Sequence, residues 1–518
     1  MPGESPLDRA SLRRRPLLGG LLAGLAAPWP GFAAATPAPA VDRETLVVGV
    51  EKDFQSLDGL VVASGDSQRY AWSVFDTLSS FDSAGHLVLR LATDVAIAPD
   101  RLSYTYRLRS GVKFHNGATM TSRDVKASLE YILRPENRSS RRPFFAPFVA
   151  GIDTPDDLTV VFRLTQEDGV FVNKIAGYLL IAPADHLASA SAFAQAPVSL
   201  GAWRVKSLKP GRALELERFE DYWGPKPAIR NLVFRVIPEP GSRVAALRTG
   251  EIDIAVVVPL PDTKALRAEP GLHVLAAPMA SPLHVHLYTE QPDSPLSRRE
   301  VRQALNYAID ERAIIDSVLD GVGEPLATFI SRYYPYSTDP ALAPYPYDPE
   351  KAQALLKQAG YPGGFATKLY SPNDQPVELA EAIAAYWEQV GVKAAIQRMD
   401  YESWLKLMNA HKAEPMAITQ STNTIYDAVH PVSGHFYPGG PYADYFNPEV
   451  KALVDDVNHT YGAEARGQVF QKIGRILHDD ASSVFISELY YVYAWKQGLN
   501  WSPQIGSGFL DFRAARWA

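Results

Sequence analysis

The sequence predicts an α/β chain folded into more than one lobe. Length is the first observation: 518 residues, 46% of them hydrophobic and 21% charged, bury a large core and exceed what one core usually organises. The second is order, since strand-like and helix-like patterns follow one another in mixed sequence along the chain. The third is the complete absence of cysteine, which excludes disulfides, thiolate nucleophiles and Cys-ligated metal centres; a chain this long needs no staples. The composition lies near the globular average, which excludes collagen, coiled coil and wholesale disorder. A net charge of -7 offers no basic field for nucleic acid.

Residues 1–40 read as an address and not as fold. Arg13, Arg14 and Arg15 precede an apolar stretch from Leu17 to Ala27, and Ala33-Ala34-Ala35 follows in an A-x-A arrangement, the three regions of a secretory signal. As a helix that apolar stretch reaches only about 16 Å, roughly half a bilayer's hydrocarbon. Ser11-Leu12-Arg13-Arg14-Arg15-Pro16-Leu17-Leu18 resembles a twin-arginine leader, with the ordinary secretory route also open. Cleavage near Ala35 or Ala40 is expected, with a periplasmic destination. No later stretch has the ~20 uninterrupted apolar residues of a membrane span.

Along the rest of the chain, Thr45-Leu46-Val47-Val48-Gly49-Val50 is β-branched and apolar, as in a buried strand. Residues 104–108 and 158–164 alternate as strands do. Between them Thr121-Ser122-Arg123-Asp124 is a capping-box pattern with Asp for Glu, followed by Val125, Leu129 and Ile132 on one helical face. Asn116-Gly117 marks a tight turn. A second block of strands covers 203–237. Residues 298–310 align Val301, Ala304, Leu305 and Ala308 in one stripe. Asp348 and Pro349 open a helix as N-cap and N1, and Gly360 closes it. Residues 377–390 form another helix, ended by Gly391.

Tyr106-Arg107-Leu108-Arg109-Ser110-Gly111-Val112-Lys113-Phe114-His115-Asn116-Gly117 and Thr121-Ser122-Arg123-Asp124-Val125 carry a resemblance. Further blocks agree in order: Ser56-Leu57-Asp58, Val74-Phe75-Asp76-Thr77-Leu78, Gly201-Ala202-Trp203-Arg204-Val205, Arg218-Phe219-Glu220-Asp221-Tyr222-Trp223-Gly224, Gly250-Glu251-Ile252-Asp253-Ile254, Val301-Arg302-Gln303-Ala304-Leu305 and Asp348-Pro349-Glu350-Lys351-Ala352. From about 45 to 500 the chain resembles the extracytoplasmic solute-binding proteins of the peptide/nickel class, family 5, which serve ABC importers. The resemblance implies a two-lobed periplasmic-binding-protein fold (type II, cluster C). Lobe I would comprise 41–77, 186–283 and 485–518, with an extra subdomain at 78–185 and lobe II at 284–484. It implies a small ligand between closing lobes, most readily a short peptide. A metal chelate or other non-peptide solute is the alternative, and a sensory or chaperone-like binder without a permease is the alternative of another class.

In peptide-binding relatives an Asp four residues before a proline pairs with the ligand's α-ammonium. Asp427-Ala428-Val429-His430-Pro431 has that spacing, beside Tyr426, although Thr424 stands where the family has tryptophan; a shifted alignment puts Thr424 at the anchor. A buried carboxylate suits an ammonium only with supporting hydrogen bonds. Asp53 and Phe54 follow the first strand, where relatives meet the ligand backbone and where open sheets place ligands generally. Trp203 is a candidate apolar wall. For Asp53, Phe54 and Trp203 a place in the core is the equal alternative. His284 and His286 share one side of a strand and could ligate metal, but no Cys or His-rich run accompanies them, so the preferred reading is half-buried strand residues and no metal or cofactor.

Ser403-Trp404-Leu405-Lys406 matches S-x-x-K, with Ser421-Thr422-Asn423 as an S-x-N companion, but Lys496-Gln497-Gly498 fails the third element. No G-x-S-x-G, Walker A or H-E-x-x-H motif is present. The expectation is a monomeric binding protein and not an enzyme, partnered by ABC permease subunits with cytoplasmic ATPases, with no nucleic acid and no membrane span of its own.

Overall fold

A ten-stranded sheet runs through the protein in the order Val392–Met399, Phe365–Pro372, Met416–Gln420, Leu272–Leu287, Ser483–Lys496, Ile254–Ala255, Thr45–Val50, Asn231–Val236, Ala213–Arg218, Trp203–Lys209. The computed structural model describes residues 44–518 apart from 55, 63–64, 83–84, 335, 422, 424 and 507, and apart from the side chains of 65–68. The expected leader, Thr422 and Thr424 therefore lie outside the described residues. The first strand pairs in parallel with Asn231–Val236 along its whole length, Leu46 opposite Leu232 and Val48 opposite Phe234. Its interior position explains its nearly continuous apolar run. The expected strands at 104–108 and 158–164 belong to a separate four-stranded sheet with Ala92–Ile97 and Val149–Asp156. The helix Ser122–Leu133 packs Val125, Leu129 and Ile132 inward. Its cap forms as read: the Asp124 carboxylate accepts the Thr121 N–H at 2.8 Å.

The three other expected helices form where their local signals lie. Arg299–Tyr307 buries Val301, Ala304 and Leu305. Pro349–Gln358 is capped by Asp348, whose Oδ1 accepts the Lys351 N–H at 2.9 Å, and Gly360 follows it at φ +90. Val377–Gln389 buries Leu379, Ile383 and Trp387. These helices share one core with Leu283, Val285 and Leu287 of the sheet. The Trp387 indole N–H reaches across that core to donate to Leu305 O at 3.1 Å.

Two long strands, Leu272–Leu287 and Ser483–Lys496, join the halves of the large sheet. Their antiparallel ladder is interrupted between Pro278, opposite Tyr490, and Pro282, opposite Glu488. Proline has no N–H for the ladder, and Ala280 between the two takes φ +47. The bulge is held from outside by the Tyr334 hydroxyl, which donates to Ala280 O at 2.6 Å.

Glu488 sits buried at this interruption. Its carboxylate accepts the Ser331 hydroxyl and the Arg332 N–H, both at 3.0 Å. Burial pushes its pKa up to about 7, against these hydrogen bonds and the Arg332 charge. The folded state therefore holds a proton that the unfolded chain releases near its ordinary value of 4.5. The contribution to stability is complete below pH 4.5 and falls as pH rises through 7, in total by about 3 kcal/mol at most. In thermal melts from pH 4 to 8, the wild type is expected to lose stability relative to Glu488→Gln as pH rises; parallel curves for the two proteins would refute this.

Candidate ligand-binding site

Where the first strand ends at Val50 the chain turns through Glu51, Lys52 and Asp53. Asp53 is exposed. Its Oδ1 accepts the Phe54 N–H at 2.8 Å and its Oδ2 accepts the Gly211 N–H at 2.7 Å, which ties the strand end to the turn before Ala213–Arg218. The structure places Phe54 in the core, edge-on to Tyr70 and Phe234 with centroids 5.6 and 5.9 Å away. Trp203 is also a core residue, 0% exposed, with its indole N–H donating to Ile229 O at 3.2 Å. Of these three, only Asp53 reaches a surface.

Beside Glu51 lies the helix Gly65–Val74, which presents Arg69 and Trp72 one turn apart on the same face. Arg69 Nη2 pairs with Glu51 Oε1, and Trp72 packs on Phe509 with centroids 4.8 Å apart. Three polar atoms here are buried and have no hydrogen-bond partner among the described residues: Trp72 Nε1, Glu51 Oε2 and the Tyr493 hydroxyl. Tyr493 comes from the long strand Ser483–Lys496 and feels the charges of both Arg69 and Glu51; burial pushes its phenol well above the ordinary range. Leaving a buried polar group unpaired costs about 1–3 kcal/mol. The Tyr493 hydroxyl and Glu51 Oε2, kept in that condition beside the Arg69–Glu51 pair, with Trp72 one helical turn on from Arg69, are chemically suited to a polar guest.

Tyr426, just before Asp427, takes φ +50. Its hydroxyl donates to Ile505 O at 2.6 Å, and its ring packs on Phe81 at 4.8 Å. The ring passes so close to Gly85 and Gly506 that a Cβ at either would stand 2.6 or 2.7 Å from it; both glycines also have positive φ. Next to it the Asn173 amide donates to Ile425 O at 2.9 Å. The Lys52 ammonium lies 5.7 Å from the Tyr401 ring centroid.

Asp427 is engaged on both oxygens. Arg466 Nε donates to its Oδ2 at 2.7 Å and Nη2 to its Oδ1 at 2.9 Å, while the Val429 N–H donates to Oδ1 at 2.9 Å. Arg466 also donates to Val457 O and, at 2.9 Å, to Thr460 O. A second buried pair, Lys174 with Asp168 at 2.7 Å, stands in the same field. Burial lowers the pKa of Lys174, as does the Arg466 charge, against the pull of Asp168 and Asp427. The structure thus brings Asp427 to a four-charge buried cluster, while Tyr426 alone of the five residues meets both the loop at 505–506 and the strand Ser79–Phe81. Ser403 and Lys406 are exposed on the helix Tyr401–Asn409; Asp400 caps it by accepting the Ser403 N–H at 2.9 Å.

Residues 86–443 match the family model described as bacterial extracellular solute-binding proteins, family 5. The chain belongs to that family. Among family 5 relatives, the glutathione-binding protein GsiB of Pectobacterium atrosepticum is 32% identical over 375 residues, 71% of this chain and 72% of the relative. Of solved structures, the Helicobacter pylori periplasmic binding protein DppA, in complex with the peptide STSA, superposes with a TM-score of 0.80 at 24% identity over 91% of this chain and 98% of that one. AgaA of A. tumefaciens R10, in complex with agropinic acid, gives a TM-score of 0.76 at 28% identity over 90% and 96%. The fold is that of the two-lobed periplasmic binding proteins, and the relatives are binding proteins. Trp72, Tyr493 and Glu51 escaped the sequence reading. An i, i+3 pair on a helix flags Arg69 and Trp72 as sharing a face, but nothing local connects them to a strand more than 400 residues later.

Proposed function

We propose that this family 5 protein captures a short peptide or peptide-like solute outside the cytoplasm and delivers it to an ABC permease driven by cytoplasmic ATPases. The observation that carries the reading is the Tyr493 hydroxyl and Glu51 Oε2 beside Arg69 at the end of the first strand, with Trp72 Nε1 on the same helix, all buried and without a hydrogen-bond partner among the described residues. Donors and an acceptor in that arrangement complement peptide groups, which carry both. A relative that binds glutathione and a structural neighbour holding a tetrapeptide support the same substrate class.

In this reading the lobes divide at 41–77, 186–283 and 485–518 against 284–484, with 78–185 as the extra subdomain. The interrupted ladder at Pro278–Pro282 and Glu488 lies at those crossings, and the separate four-stranded sheet falls wholly within 78–185. Closure is read from Tyr426, whose bond to Ile505 spans the two lobes, and ligand favours that state by touching both sides at once. Asp53 sets the rim, and Phe54 and Trp203 back the site from the core. The protein acts as a monomer without catalysis, exported by the leader at 1–40.

One observation favours a second reading, a solute without a free α-ammonium. Arg466 already compensates the Asp427 charge in a two-bond pair. Calorimetric titration with Ser-Thr-Ser-Ala, its N-acetylated form and glutathione separates the two. Binding of the free peptide at least tenfold tighter than the acetylated one supports an ammonium anchor at Asp427. Equal binding supports peptide recognition without that anchor, and no heat from any of the three overturns the peptide reading.

A further inference from the structure

His284 and His286 do share a face of the strand Leu272–Leu287, and a third histidine meets them there. His435, on the helix Val429–Phe436, completes a cluster in which one ring nitrogen from each residue lies within 4.8 Å of the others. All three are buried, at 0%, 1% and 2% exposure. The His435 ring centroid is 5.4 Å from that of His284 and 5.5 Å from that of His286.

The hydrogen bonds around the cluster orient two of the rings from outside. His284 Nδ1 lies 3.1 Å from Pro282 O, and its Nε2 has no hydrogen-bond partner among the described residues. His286 Nε2 lies 2.9 Å from Asp444 Oδ2, which leaves a lone pair at Nδ1. Both nitrogens of His435 are buried without a hydrogen-bond partner among the described residues, an expensive arrangement if nothing occupies the centre. Ligating histidines characteristically give their second nitrogen to a carbonyl or carboxylate in this way. Asp444 is itself held by His411 Nδ1 at 2.7 Å, and the His411 side chain is 41% exposed, which marks a route to solvent.

We propose that His284, His286 and His435 form a three-nitrogen site for a divalent transition-metal ion of the zinc class, separate from the solute-binding site. Imidazole nitrogens suit such ions, and an ion at 2.0–2.1 Å from each nitrogen draws them to about 3.3 Å from one another. Rotation of the His435 ring, which breaks no hydrogen bond, supplies part of that closure. The bound ion fastens the helix Val429–Phe436, which directly follows Tyr426 and Asp427, to the central strand.

The test uses full-length mature protein stripped with chelator and titrated with Zn2+ alone. One Zn2+ per chain is expected to survive dialysis and to raise the melting temperature by several degrees. His435→Phe, which keeps the aromatic packing against Phe329 and Tyr442, is expected to weaken retention at least tenfold. No retained ion, or equal retention by the variant, overturns the proposal. If the variant does not fold, X-ray absorption on the Zn2+-loaded wild type decides: three imidazole nitrogens at about 2.0 Å support the site, and fewer than three overturn it. Peptide titration is a separate readout, so failure here leaves the solute-binding reading standing.

Discussion

Arg466→Ala lowers the stability of the folded protein by about 3–5 kcal/mol, the range for removing one partner of a buried ion pair. Asp427 then keeps its negative charge, mostly buried, with the Val429 N–H and the field of Lys174 as its remaining support, and the carbonyls of Val457 and Thr460 lose the Arg466 donor. Arg466→Lys does not rescue, because a single ammonium cannot reproduce the planar two-bond contact with the carboxylate together with the two carbonyl contacts. Pairing the change with Asp427→Asn recovers part of the loss by removing the stranded charge. Thermal melts of the two single variants and the double variant make the cycle. Additive losses would mean that the pair does not act as a unit.

Trp203→Ala is the second large effect, a loss of about 3–5 kcal/mol from cavity formation. The indole is wholly enclosed, and its N–H leaves Ile229 O without a donor when removed. Because the side chain has no exposed surface, the fraction that still folds is expected to bind solute within threefold of wild type. A stable Trp203→Ala protein with more than tenfold weaker binding would put the indole in the cleft instead. Thermal melting and calorimetry on the same preparation separate the two outcomes.

Much of the fold was legible because its signals are local. Asp348, Pro349 and Gly360 define a helix within thirteen positions, and Thr121 with Asp124 define the start of another. The first strand was legible because an interior parallel strand has to be apolar on both faces. The long strand Leu272–Leu287 was legible only through His284 and His286. Pro278 and Pro282 argue against a continuous ladder, and the chain satisfies both demands by bulging between them. Aromatic residues near turns, such as Trp203, carry no local mark that separates a core wall from a cleft wall.

The site was less legible for the same physical reason. Asp427 and Arg466 are 39 positions apart, and His435 joins His284 only because a helix packs on that face of the sheet. Trp72, Glu51 and Tyr493 gather from a helix, a strand end and a long strand. Tyr426 was placed beside the site by its neighbour Asp427, and its contacts with Ile505 and Phe81 come from tertiary structure alone. The family blocks locate the scaffold, and the pairing of charges within it decides which carboxylate remains open to a ligand.

The central claim, that the chain carries a peptide-like solute between two lobes, is tested most directly by native mass spectrometry of the exported protein from its own cells. Denaturation then releases the bound molecules for identification. The account predicts a one-to-one complex that releases short peptides or a peptide-like compound such as glutathione. Release of a single non-peptide solute would contradict the substrate class and leave the binding role intact. An empty protein that takes up neither peptides nor the small molecules of its own extract would contradict the central claim itself.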